Sequence, residues 1–252
     1  MPNIKIPQNY QAKPDLLAER VILVTGAGSG IGREAAMQYA SLGATVIITG
    51  RTTGKLETLY DEIMAKGHIE PVIFPMEMDK ATEQDYLGMA GGIENEFGRL
   101  DGLLHNAAEL GSLTPIDHYP AKLWQDVCNV NLHGPVLLTQ ACLPLLRRAK
   151  QASIIFSSTD DYEKQSAYWG AYAVSKQGID AFMLVLADEL ENNTNIRVNA
   201  INSGPVRTRL RSQAYPAEDP NTLKIAADIM TAYAFLMGSD CSDIHGKIIN
   251  AQ

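Results

Sequence analysis

A chain of 252 residues that is 46% hydrophobic has enough apolar material for one sizeable core. Its 21 basic against 29 acidic side chains give a net charge of −8, which argues against a nucleic-acid partner, since that would require a basic stripe. No stretch approaches the roughly 20 apolar residues of a membrane span, and Met1 to Arg20 is polar and Pro-broken, without the charged-then-apolar order of a secretory signal.

From Val21 onward, short apolar runs rich in β-branched residues alternate with amphipathic stretches of helical length. Strands are expected at 21–25, 45–49, 71–75, 100–105, 153–157, 196–201 and 247–250, with helices at 31–42, 55–65, 83–97, 123–148, 170–191 and 223–237. Pro144 should kink the fourth helix or mark its last turns. This alternation reads as α/β: a single-domain, Rossmann-like, doubly wound parallel sheet of seven strands with helices on both faces. Ligands of such a sheet collect beyond the carboxyl ends of the strands. The residues that draw attention, Gly26 to Gly32, Arg51, Asn106, Thr159 and Gly204, all fall at such ends.

After the first strand come Thr25-Gly26-Ala27-Gly28-Ser29-Gly30-Ile31-Gly32. Gly26 permits the turn, Gly30 lets backbone N–H groups approach a pyrophosphate, and Gly32 lets helix and strand pack closely. The helix beginning near Ile31 then turns its positive end to the phosphates. A P-loop is excluded, because no Gly-Lys-Ser/Thr follows. The second strand ends Thr49-Gly50-Arg51-Thr52 without a carboxylate for a ribose 2′-hydroxyl. Arg51 can clamp a 2′-phosphate, with Thr52 as a hydroxyl donor and Arg33 nearby, so the expected cofactor is NADP(H).

Further along, Trp169-Gly170-Ala171-Tyr172-Ala173-Val174-Ser175-Lys176 places a phenol and an ammonium four residues apart, on one helical face. A neighbouring ammonium draws a phenol pKa down from about 10 toward neutrality, which makes a proton donor. Trp169 is a candidate pocket wall. Arg207, Arg209 and Arg211 read as a solvated turn or as a small-anion site, and residues 207–224 as a flexible lid over the substrate. Cys128, Cys142 and Cys241 lack metal-ligand spacing and read as reduced thiols of a cytoplasmic protein, and no metal site is expected among the histidines. His105 reads as a hydrogen-bonded structural residue.

With residues 25–32, Asn106, Asn131 and the Tyr172/Lys176 pair in this order, the chain resembles the short-chain dehydrogenase/reductase family over about residues 21–250. It is most similar to the bacterial YciK-like branch, on Arg33-Glu34-Ala35-Ala36, Phe97-Gly98-Arg99-Leu100-Asp101-Gly102 and Trp169-Gly170-Ala171-Tyr172. The resemblance implies Tyr172 as acid/base, Lys176 as the group that lowers its pKa and holds the nicotinamide ribose, and Asn131 as the holder of a relay water. It implies cofactor contacts from Gly26, Gly28, Ser29, Gly30, Ile31 and Gly32, from Arg51 and Thr52, and from Glu77 and Met78 near the adenine, with Asp79 competing for the role of Glu77. Asn106 and Ala107 would pass beneath the cofactor, and Gly204, Val206 and Thr208 would bind the nicotinamide amide and phosphate.

Several residues depart from the family pattern. Thr159 stands where the family has a catalytic serine, with Ser158 beside it as the alternative hydroxyl. Asp160 and Asp161 follow where small residues are common, and either face the substrate or lie on the surface. Ala108 replaces a glycine, and Ser203 replaces a proline before Gly204. The family also implies a homodimer or homotetramer, with Val127, Val130, Leu138, Phe182, Val185 and Leu186 packing at a helical interface or on the sheet. The resulting expectation is an enzyme that interconverts a small-molecule carbonyl and alcohol with NADP(H). The alternatives are an NADPH-binding regulator or scaffold with little catalysis, and an epimerase or dehydratase on the same fold.

Overall fold

The computed structural model describes residues 4–6, 10–159 and 166–252. The seven anticipated strands are β2 (Val21–Thr25), β3 (Thr45–Gly50), β4 (Val72–Pro75), β5 (Gly102–His105), β6 (Ala152–Ser158), β7 (Ile196–Asn202) and β8 (Ile248–Asn250). A two-residue β1 (Ile4–Lys5) adds an eighth strand at one edge by pairing with β8. All pairings are parallel, in the order β1-β8-β7-β6-β5-β2-β3-β4. β4, β5 and β8 start later than the apolar runs suggest. Pro71 carries no N–H for a ladder, and Leu100 gives its N–H to the Leu145 carbonyl at 3.2 Å.

Strand side chains alternate between two cores. Ile22, Val24, Val46, Ile48, Leu104, Ile155 and Ile201 enter one, while Val21, Leu23, Ile47, Leu103, Ile154, Phe156 and Ala200 enter the other. Because helices cover both faces, the strands read as continuous apolar runs rather than as alternating ones. Each large apolar side chain buried this way contributes roughly 1.5–3 kcal/mol. His105 belongs to this buried layer: its Nε2 pairs with Thr139 Oγ1 at 2.8 Å and its ring stacks on Phe156.

The first face holds α1 (Gly30–Ser41), α2 (Thr53–Ala65) and α8 (Met230–Met237). The second holds α3 (Glu83–Phe97), α5 (Gly134–Leu146) and α6 (Gly170–Leu190). No helix among the described residues is long and apolar enough to cross a membrane.

The single helix expected over 123–148 is instead α4 (Ala121–Cys128), a π turn (Asn129–His133) and α5. Pro135 is the physical reason. It has no N–H to offer the Asn131 carbonyl, as an α-helix would require, and the Gly134 N–H goes to the Asn129 carbonyl, five residues back. Pro144 sits in the last turn of α5. The helix expected over 223–237 begins as a 3₁₀ turn (Ala226–Ile229) and becomes α-helical at Met230.

The chain winds from β2 outward through β3 and β4, then returns to the other side of β2 with β5 and continues to β8. The carboxyl ends of β2 and β5 therefore form the switch point, where a crevice must open.

Candidate active site

A cavity of about 440 Å³ occupies that crevice. Gly26, Gly28, Ser29, Gly30 and Ile31 line it from β2, Thr49 to Thr52 from β3, Met76 and Met78 from the segment after β4, and Asn106 to Leu110 from β5. Ser157, Ser158 and Thr159 reach it from β6, Tyr172 and Lys176 from α6, and Gly204, Val206 and Thr208 from the segment after β7.

The glycine turn is shaped by close approach. Gly26 has φ +68°, and a Cβ there would lie 2.9 Å from the Ala107 Cα. A Cβ on Gly32 would lie 2.4 Å from Asn106 Nδ2 and 2.5 Å from the Gly26 carbonyl oxygen. Gly32 therefore packs behind the turn, outside the cavity lining. Ser29 caps α1 in extended conformation without a side-chain capping bond. Thr25, which reading by motif undervalued, ties the two halves of the switch point. Its Oγ1 accepts the N–H groups of Asn106 and Ala107 at 2.9 and 3.0 Å and donates to the Leu104 carbonyl at 3.3 Å.

At the β3 end, Arg51 lines the cavity and pairs with Glu109 at 3.1 Å. Arg33, expected beside it, is held by Glu34 and Glu62 and does not line the cavity. Lys55, on the first turn of α2, is the second cation there. Glu77 is also displaced from its anticipated position: it is exposed, pairs with Lys80 and leaves the cavity wall to Met78 and Asp79.

On α6, Tyr172 and Lys176 share the face that closes the cavity. Lys176 is buried and donates from Nζ to the Ser157 carbonyl at 2.8 Å, with its ammonium 5.9 Å from the Tyr172 ring centre. Burial pushes the Lys176 pKa down to about 8, against the opposing field of Asp180 one turn along. Asn131, buried in the π turn, donates from Nδ2 to Ser175 Oγ at 3.0 Å, and Ser175 Oγ donates to the Tyr172 carbonyl at 2.9 Å. The same amide brackets Glu109, accepting its N–H at 2.8 Å and donating to its carbonyl at 2.9 Å. Asn131 is thus behind the cavity wall rather than on it.

The two candidate hydroxyls differ in how they are held. Ser158 also lines the cavity, but it is buried and its hydroxyl is committed to Asp180 Oδ2 at 2.8 Å. Thr159 lies just past β6 on the cavity wall and is only partly buried. Asp160 and Asp161 lie outside the described residues.

Over Tyr172 sits a small apolar cluster of Leu110, Ala214, Trp169, Leu210 and Tyr215. Trp169 does form a wall, with ring centres 5.7 Å from both Tyr172 and Tyr215. Residues 207–224 are more built than a flexible lid. They contain α7 (Arg209–Ala214), a bridge between Val206 and Lys224, and Arg207 Nε donating to the Pro220 carbonyl at 2.8 Å. Arg211 grips Glu218 through two nitrogens at 2.7 and 2.8 Å and stacks on Tyr215. The arginines read as a solvated turn are largely struts.

The two substituted loop positions are accommodated. Ala108 does not take a positive φ. The loop lacking proline at 203 is tied by Gln252 Nε2 to the Ser203 and Pro205 carbonyls at 2.6 and 3.0 Å, while Asn202 Oδ1 accepts the Gly204 N–H at 3.0 Å.

A sequence model of the short chain dehydrogenase family matches residues 20–219. The uncharacterized oxidoreductase YciK of Escherichia coli (strain K12) is 44% identical over 244 residues, covering 97% of this chain and 96% of YciK. Among solved structures, a short chain dehydrogenase from Salmonella enterica serovar Typhi superposes with a TM-score of 0.93 at 45% identity, covering 96% of this chain and all of that one. Another, from Escherichia coli CFT073 complexed with NADPH, gives a TM-score of 0.91 at 45% identity, covering 95% and 99%.

Proposed function

Because the chain belongs to the short-chain dehydrogenase/reductase family of oxidoreductases, we propose that it interconverts a carbonyl and an alcohol with NADP(H) as cofactor, Tyr172 acting as acid/base. The observation that carries this reading is that Tyr172, Lys176 and Thr159 line the same cavity as the glycine turn and Arg51.

The cavity fits a dinucleotide. The cradle at Gly26 and Gly30 has positive φ and no side chain in the way, the uncapped start of α1 faces it, and Arg51 with Lys55 supplies cations where a 2′-phosphate would lie. Gly26, Gly28, Ser29, Gly30 and Ile31 would hold the pyrophosphate, and Arg51, Thr52 and Lys55 the 2′-phosphate. Met78 and Asp79 would border the adenine, with Asn106, Ala107, Gly204, Val206 and Thr208 along the nicotinamide half. The NADPH bound by the related Escherichia coli CFT073 structure supports this assignment. When bound, the nicotinamide supplies or accepts the hydride.

The chain's own groups manage the proton. The Tyr172 phenol gives a proton to the carbonyl oxygen in reduction and takes one from the alcohol in oxidation. Lys176, held by the Ser157 carbonyl, keeps a positive charge near that phenol. Asn131 and Ser175 fix the backbone of Tyr172 from behind, and Thr159 offers a hydroxyl to the substrate oxygen. The aromatic and apolar cluster of Trp169, Tyr215, Leu210 and Leu110 excludes water around the reacting oxygen. Exposed Val174 and Val185 on α6 favour burial against a second copy, which light scattering would test.

Removing the phenolic hydroxyl tests the core of the proposal. Positioned proton transfer contributes roughly 10²–10⁴-fold, so Tyr172→Phe should lose at least about a hundredfold in kcat on a carbonyl panel while still binding NADPH. Turnover at the wild-type rate would overturn it.

A further inference from the structure

Arg51 and Glu109 stand on two sides of the cavity. Arg51 leaves the end of β3, Glu109 belongs to the loop after β5, and Arg51 Nη1 donates to Glu109 Oε2 at 3.1 Å between them. Glu109 is anchored at its backbone, where the Asn131 amide holds both its N–H and its carbonyl, while its carboxylate meets Arg51 at the solvent-facing side. Its carboxylate is therefore the adjustable part. A guanidinium presents the same donors to a carboxylate as to a phosphate. Among the described residues, the other charged groups lining this end are Lys55 and Asp79.

We propose that Glu109 is a tuning residue for cofactor choice: its carboxylate is an internal substitute for the 2′-phosphate, holding Arg51 across the cavity until a 2′-phosphorylated nucleotide displaces it. This inference rests on the assignment of Arg51 to the 2′-phosphate. A nucleotide with that phosphate competes with Glu109 for the donors of Arg51, so the pair lowers its affinity. A nucleotide without it leaves the pair in place and gains nothing from Arg51.

The pair is solvent-facing, with Arg51 63% and Glu109 31% exposed at the side chain. Exposed ion pairs of this kind shift equilibria by about two- to fivefold, less as salt rises.

The test is calorimetric titration of the full chain with 2′,5′-ADP and separately with 5′-ADP, for the wild type, E109Q, R51A and the double variant. E109Q should bind 2′,5′-ADP about two- to fivefold more tightly at low salt. It should leave 5′-ADP unchanged and have no effect once Arg51 is alanine. If R51A weakens 2′,5′-ADP while E109Q fails to tighten it, the inference about Glu109 is wrong and the Arg51 assignment stands. Loss of 5′-ADP affinity in E109Q would also overturn the inference, since Glu109 would then be holding ribose hydroxyls. If R51A leaves 2′,5′-ADP affinity unchanged, the Arg51 assignment falls and takes the inference with it.

Discussion

Asp180→Asn isolates the group that keeps Lys176 charged. Lys176 is buried, and burial pushes its pKa down to about 8 while Asp180, one helical turn along, works in the opposite direction. Two charges about 6 Å apart on a helix face interact by roughly 2–3 kcal/mol at an effective dielectric near 20. At 1.36 kcal/mol per unit that is up to about two pKa units. Asparagine retains an oxygen for the Ser158 hydroxyl, which now donates to Asp180 at 2.8 Å, so the substitution removes charge with little change of shape. The sign follows directly: losing the carboxylate disfavours the ammonium, and the lysine deprotonates at lower pH. The alkaline limb of kcat/KM, followed by NADPH absorbance on a carbonyl substrate, should move about one to two units down from near pH 8. The cofactor-binding profile should move with it if Lys176 also holds the ribose. An alkaline limb that stays in place, or moves up, would refute the claim that Asp180 sets the charge on Lys176.

The two hydroxyls at the end of β6 separate by kinetics. Thr159→Ala should cut kcat by about 10²-fold, the scale for losing a donor to a developing oxyanion; Ser158→Ala should cost about 1–2 kcal/mol of stability and far less of kcat, and the reverse ranking would reassign the site. Gly32→Ala places a methyl against Asn106 Nδ2 and the Gly26 carbonyl, both nearer than 3 Å, and should lose about 1–3 kcal/mol. Thermal melting should show that loss as a drop of about 3–10 °C; Gly28→Ala, whose nearest neighbours are Lys55 carbons at 3.3 and 3.8 Å and a Leu56 methyl at 3.9 Å, should lose less, and equal melting of both would contradict the packing argument.

Reading by motif succeeds where one residue's chemistry is tied to one backbone geometry. Gly26 and Gly30 do adopt positive φ, and Tyr172 and Lys176 do share a helical face. It leaves a choice open, or misses a candidate, where two neighbours offer the same chemistry. Ser158 and Thr159 are both hydroxyls, and only the turn of the strand end decides that Ser158 goes to Asp180. Arg33 and Lys55 are both cations near the glycine turn, and the presence of Glu62 across from α1 removes Arg33. Glu77 and Asp79 are both carboxylates after β4, and Glu77 is exposed and paired with Lys80 whereas Asp79 lines the cavity. The π turn was readable: His133-Gly134-Pro135 contains the missing N–H, although the continuous apolar periodicity masks it.

The sequence by itself determined the α/β alternation, the glycine turn and the phenol–ammonium pair, because these rest on periodicity, φ preference and helical spacing, all of which act over a few residues. Only the tertiary structure decided which donor each carboxylate takes. The pairs Arg51–Glu109, Arg211–Glu218 and Ser158–Asp180 join residues 58, 7 and 22 positions apart. Electrostatic partners are chosen by distance in space and by burial, and the winding order, which sets β3 and β5 on either side of β2, is what brings Arg51 and Glu109 together.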